Sequence, residues 1–260
     1  MKKLVLFSAL TCLSALTWAQ GTVTHDQEDQ RKGGHPVWVE GQSPSRAYKD
    51  QDVIDLLTAD ASHGPLFLTR RLHPEDKRTL MYHHKRVGEP GRGWYVNWES
   101  TLAITEHELI QIVGGEPVGC YEKSGKGWTP VEGVKDQLRV VQSKGNTSYE
   151  ITRAADGAVL RYDTLKLGSL ELPSLTQVCY PETPTVSIRY SSIGCIDEVT
   201  SATWKLEFVY NGHRLTNVNH NYLVGIRLTD KDATTGMNLV TEFGFRHLEN
   251  GDLGGVYKSD

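Results

Sequence analysis

The chain has 260 residues, with 28 basic and 32 acidic side chains, a formal net charge of −4, and 38% hydrophobic residues. That balance excludes the basic face that nucleic acid or an anionic lipid surface selects, and it excludes the sparse, highly charged composition of a disordered chain. The length is ample for one large domain with a real core, and no stretch approaches the roughly 20 apolar residues of a membrane-spanning helix.

Lys2 and Lys3 precede an apolar run over residues 4–16, and Thr17-Trp18-Ala19 sets small residues at both positions a signal peptidase reads. The pattern predicts a secretory signal over 1–19 and export to a periplasmic or extracellular compartment. Residues 20–34 carry Asp26, Glu28, Asp29, Arg31 and Lys32 and little to bury, which predicts a flexible arm. Residues 35–260 then form a single β-rich domain, with 114–133 as the place for any subdivision.

Loss of the signal leaves Cys120, Cys179 and Cys195. In an oxidising compartment one pair should close. Cys179 with Cys195 is the nearest candidate and would stabilise the fold by about 3 kcal/mol in the chain-entropy model; Cys120 with Cys179 is the competing pair.

Along the domain, residues 36–40 suit a short strand anchored by Trp38. Residues 49–59 put Val53, Ile54, Leu56 and Leu57 on one helical face, which predicts a helix ended by Gly64-Pro65. Residues 66–70 read as a strand. Residues 74–86 have the charge order of a helix, acidic at the start and His83, His84, Lys85 and Arg86 at the end, although Leu80 to Tyr82 would serve a strand equally well. Residues 94–105 read as a strand leading into a short helix, where Thr105 and Glu108 have capping-box spacing and Gly114-Gly115 is the stop. The glycines and prolines over 114–133 predict a loop-rich region, interrupted by short strands around Cys120 and Trp128.

Residues 138–142, 149–153 and 159–162 return to strand character, with Asp156-Gly157 as a tight turn, and residues 185–190 resume it. The last fifth of the chain carries the clearest pattern. Trp204, Leu206, Phe208 and Tyr210 alternate, as do Tyr222, Val224, Ile226 and Leu228, and Phe243 and Phe245 continue the period of two. Asn211-Gly212 and Asn250-Gly251 supply hairpin turns, so this part reads as an antiparallel meander. The fold class expected is β-rich α+β: an antiparallel sandwich or incomplete barrel with two or three short helices in the N-terminal half.

No string carries specific chemistry. His107-Glu108-Leu109-Ile110-Gln111 resembles a zinc-protease helix, but Gln111 stands where the second histidine belongs. Among the histidines, His73, His83 and His84 are the first to test for metal, although adjacent His83 and His84 point apart on either kind of element. Asp230-Lys231-Asp232 lacks the further carboxylates of a calcium loop, and Asn146-Thr147-Ser148 fits a glycosylation sequon. The chain has no nucleophile elbow, no phosphate-binding glycine loop and no dinucleotide fingerprint, so no catalytic residue is assigned and no cofactor is implied.

Trp94, Tyr95 and Trp98 follow Gly91-Arg92-Gly93 and are the candidate ligand-binding residues. On one strand Trp94 and Trp98 would share a face, as a sugar-stacking platform, the floor of an apolar cavity, or a buried core. Taken by itself, the Trp94-Tyr95 string resembles the first strand of lipocalins, and that resemblance implies a barrel enclosing a small apolar ligand.

Export, a mildly acidic surface and a plain β scaffold lead to an exported, non-enzymatic protein whose partner is another protein, as in an envelope inhibitor or an immunity protein against a secreted toxin. Two other readings make different demands. An exported hydrolase of an envelope polymer needs some of His73, His83, His84, Glu99 and His107 to converge in a cleft. A lipocalin-like carrier needs an apolar interior of at least about 300 Å³.

Overall fold

The computed structural model describes residues 53–57, 65–71, 90, 93–143, 145–167, 170–192, 194–211, 222–231, 236–247 and 252–259. The expected signal, the arm over 20–34, the strand over 36–40 and the element over 74–86 lie outside them, as do His73, His83 and His84.

Every regular element among the described residues is a strand. The expected α+β class is therefore corrected to all-β, with one sheet of three strands and one of fourteen. The small sheet holds β1 (Val53–Leu57), β2 (Leu66–Arg70) and β3 (Trp94–Val96). The helix expected over 49–59 is replaced by β1, whose Val53 and Ile54 pair with Thr69 and Leu68. Two adjacent β-branched residues suit a pleated, buried strand better than a helix interior.

The large sheet opens with β4 (Ser100–Ile104), β5 (Glu108–Val113), β6 (Glu116–Ser124) and β7 (Gly127–Pro130). The helix expected after Thr105 is β5 instead. Leu109, Ile110, Gln111 and Ile112 are all buried, so β5 is covered on both faces and shows no alternation for a reader of the sequence to see. Thr105 does cap Glu108, but across a turn: its Oγ1 accepts the Glu108 N–H at 2.9 Å and the His107 N–H at 3.3 Å, while Thr105 N–H reaches the Glu108 carbonyl at 2.8 Å. The loop-rich reading of 114–133 gives way to hairpins, in which β6 and β7 are the strands expected around Cys120 and Trp128. Gly114 and Gly115 have φ of 53° and 81°, the pair of left-handed residues that a two-residue hairpin turn requires.

β8 (Gln137–Ser143), β9 (Asn146–Thr152), β10 (Val159–Leu167) and β11 (Leu170–Cys179) follow as a meander. β11 pairs with β10 along its length and also meets β4, where Ser174 is opposite Thr101 and the Thr101 hydroxyl donates to the Pro173 carbonyl at 2.8 Å. β7 lies beside β8 without a ladder of its own. The path β4 to β11 thus returns to its start, forming a ring of eight antiparallel strands. Leu102, Leu109, Tyr121, Ile151 and Tyr162, from five of these strands, are fully buried within one core.

β12 (Val186–Tyr190), β13 (Ile196–Thr200), β14 (Trp204–Tyr210), β15 (Leu223–Lys231), β16 (Asn238–His247) and β17 (Leu253–Ser259) extend the sheet from β11. The alternation over 204–210 is that of β14, with Trp204, Leu206 and Phe208 buried. Trp98, at the corner between β3 and β4, packs on Trp204 with ring centroids 6.1 Å apart. An ion pair between the buried Arg70 and Asp252 ties β2 to the start of β17.

All three described cysteines are free thiols, so the expected Cys179–Cys195 bond is not made. The register explains why. Val178 is opposite Val186, which sets Cys179 at the start of β12, whereas Cys195 bonds to Ser191 beyond its end. Six strand residues span about 20 Å, and a disulfide needs Cα atoms within about 7 Å.

Candidate functional site

The candidate residues from the sequence are scattered. Trp94 and Tyr95 have no exposed surface and Trp98 is 7% exposed. β3 ends at Val96, and the Glu99 N–H bonds back to the Val96 carbonyl at 2.9 Å, so the strand period does not carry from Trp94 to Trp98. The Trp94-Tyr95 string lies in the small sheet, before the ring begins. Glu99 accepts the Val96 N–H at 3.0 Å and precedes β4, while His107 is exposed in the turn after it. Opposite ends of a five-residue strand do not share a cleft. Among the described residues no group of three or more His, Cys, Asp or Glu could hold a metal ion, and no helix is long and apolar enough to cross a membrane.

Two arrangements that the sequence did not signal stand out. Inside the ring, the Tyr162 hydroxyl receives the Gln111 Nε2–H at 2.7 Å and lies 2.9 Å from the Ser100 Oγ, joining β4, β5 and β10. Burial pushes the Tyr162 phenol up to about 12, against the opposing effect of these hydrogen bonds. The Tyr121 hydroxyl, buried nearby, has no hydrogen-bond partner among the described residues. Tyr121 and Tyr162 have no surface open even to an internal void of water size, so a carrier's cavity does not lie against them.

The second arrangement is on the outward face of β14–β17. Val209 is opposite Gly225, Gly225 opposite Gly244, and Gly244 opposite Tyr257, one row across four strands. Directly opposed residues share a face, so two adjacent glycines floor a trough between a valine and a tyrosine. A Cβ at Gly244 would come within 1.8 Å of the Tyr257 Cζ: the phenol ring lies down over the glycine. The trough has a volume of ≈ 240 Å³ and is also lined by Val224 and the Arg227–Glu242 pair. Val209 and Tyr257 are each about half exposed, at 49% and 48%.

Around the trough the same sheet is charged and internally paired. Arg227 Nε donates to Glu242 at 2.7 Å, Lys205 reaches Glu207 at 2.9 Å, and Arg189 bridges to Asp197 at 2.5 Å and to Glu198 at 3.4 Å. Exposed pairs of this kind contribute little to stability. Their effect is to leave Val209, Val240 and Tyr257 as apolar features of a neutralised surface. Neither family models nor curated proteins give a match to this chain.

Proposed function

We propose that the protein is an exported, non-enzymatic binding protein that recognises another protein through the outward face of β14–β17. The observation that carries this reading is the glycine-floored trough. Gly244 is packed beneath the Tyr257 ring, so the depth lies over Gly225, between half-exposed Val209 and Tyr257. At ≈ 240 Å³ the trough is smaller than the roughly 300–1,000 Å³ that encloses a small ligand, and it suits one protruding side chain of a larger partner. Tyrosine is enriched at the energetic centres of protein interfaces, and the paired charges around it would form a polar rim.

Affinity purification from the source organism's envelope tests the reading. The wild-type chain should retain a stoichiometric protein through moderate salt, and a Tyr257→Ser, Val209→Asp variant of unchanged circular dichroism should lose it. Retention by both chains, or by neither, would end the proposal.

A further inference from the structure

The polar side of the trough narrows what can enter it. A Cβ at Gly244 would lie 1.8 Å from the Tyr257 Cζ and 2.2 Å from its hydroxyl oxygen, so the hydroxyl end of the ring sits over the glycine. The ring therefore reaches across β16 and aims its hydroxyl toward the open floor at Gly225, with Val209 on the far side. That hydroxyl makes no hydrogen bond among the described residues. Arg227 and Glu242 are directly opposed, two residues along from Gly225 and Gly244 and on the same face. Arg227 Nε and Nη2 both donate to one carboxylate oxygen, Glu242 Oε1, at 2.7 Å and 2.6 Å. Arg227 Nη1 and Glu242 Oε2 have no partner among the described residues. The trough thus meets three unengaged groups: a donor on Arg227, an acceptor on Glu242, and the Tyr257 hydroxyl, which is both.

We propose that the side chain the partner inserts here is a carboxamide, from glutamine or asparagine, with its methylene carbons between Val209 and Tyr257 and its amide on Arg227, Glu242 and the Tyr257 hydroxyl. The inference rests on the protein-binding reading and names the chemistry that the trough selects. A primary amide carries an acceptor oxygen and two N–H donors on separate atoms, so it answers all three groups at once. Charged side chains fit less well, because Arg227 and Glu242 already cancel each other. A carboxylate would gain Arg227 but face Glu242, and an ammonium or guanidinium would gain Glu242 but face Arg227. An aliphatic side chain would cover the three polar groups and leave them unsatisfied. A peptide group of the partner has one donor and one acceptor, but its trans geometry sets them on opposite sides.

The test titrates the full chain with small probes that differ in their end group: butyramide, butyrate, butylammonium, pentan-2-one and, for a sugar, methyl glucoside. The backbone amide shifts of Gly225 and Gly244 report binding by NMR. Butyramide should saturate these shifts at a concentration at least tenfold below that of every other probe. An Arg227→Met, Glu242→Met double variant of unchanged circular dichroism should lose that preference. Saturation first by any other probe, no saturable shift with butyramide, or a preference that the double variant keeps would overturn the inference. In each of those cases the protein-binding reading still stands if the wild type retains a protein from the envelope and the Tyr257→Ser, Val209→Asp variant does not. If the wild type retains no protein, that reading falls and the carboxamide partner with it.

Discussion

Two buried tyrosines illustrate how much a single hydroxyl depends on its surroundings. Tyr162 bonds to Gln111 and lies against Ser100, whereas the Tyr121 hydroxyl is buried without a partner among the described residues. Removing a paired hydroxyl strands its neighbours, at about 1–3 kcal/mol, while removing an unpaired one relieves a desolvation cost of similar size. Tyr162→Phe should therefore destabilise the fold and Tyr121→Phe should stabilise it, as read from urea midpoints at constant m-value. Asp163 adds a dependence on pH. Burial raises its pKa, but hydrogen bonds from Ser148, Thr176 and Arg161 outweigh burial and hold the carboxyl below its ordinary value. A pKa lower in the folded than in the unfolded chain contributes stability that is complete above the unfolded value near 3.9 and lost as pH falls below it. The acid limb of a pH–stability curve should be shallower in Asp163→Asn than in the wild type below about pH 4. Neither tyrosine could be assigned from sequence, because the hydroxyl's fate depends on strands far apart along the chain.

At the scale of elements, the sequence was readable where one face is wet. The alternation of Trp204, Leu206 and Phe208 is visible because Lys205 and Glu207 intervene, and Asp156-Gly157 marks the β9–β10 turn, with Gly157 at φ 71°. Where a strand is covered on both faces the signal fails. Leu109 to Val113 holds five residues without a charge and lends itself to a helix. Thr105 and Glu108 have a spacing that caps a helix and closes a turn equally well. What separates the two is the partner strand, which local spacing does not encode. The β5–β6 turn makes a sharper prediction. At Gly114 (φ 53°) an added Cβ meets nothing within 4 Å, whereas at Gly115 (φ 81°) it would lie 2.6 Å from the buried Tyr95 ring. Gly114→Ala should cost about 1–2 kcal/mol for the left-handed backbone alone, and Gly115→Ala should cost distinctly more, as measured by chemical denaturation.

For the molecule as a whole, the ring of β4–β11 and the meander of β12–β17 share one core, and the sites of interest lie on the meander. The trough was not legible in the sequence, since Gly225 and Gly244 are nineteen residues apart and only the register of β15 on β16 makes them neighbours. The thiols bear on the whole fold as well. With Cys179 and Cys195 at opposite ends of β12, the folded chain should titrate as three free thiols once the first nineteen residues are removed, and reductant should leave its Tm unchanged. A Tm that falls with reductant would contradict this register.

The central claim, recognition of a protein through the outward face of β14–β17, is tested most directly by placing a photocrosslinking amino acid at Val209 and, separately, at Val118 on β6. The two positions are about equally exposed, at 49% and 50%, so they differ in place and not in access. Irradiation in the source organism's envelope should yield one discrete adduct with another protein from position 209 and none from 118. Equal adducts from both positions, or none from 209, would contradict the account.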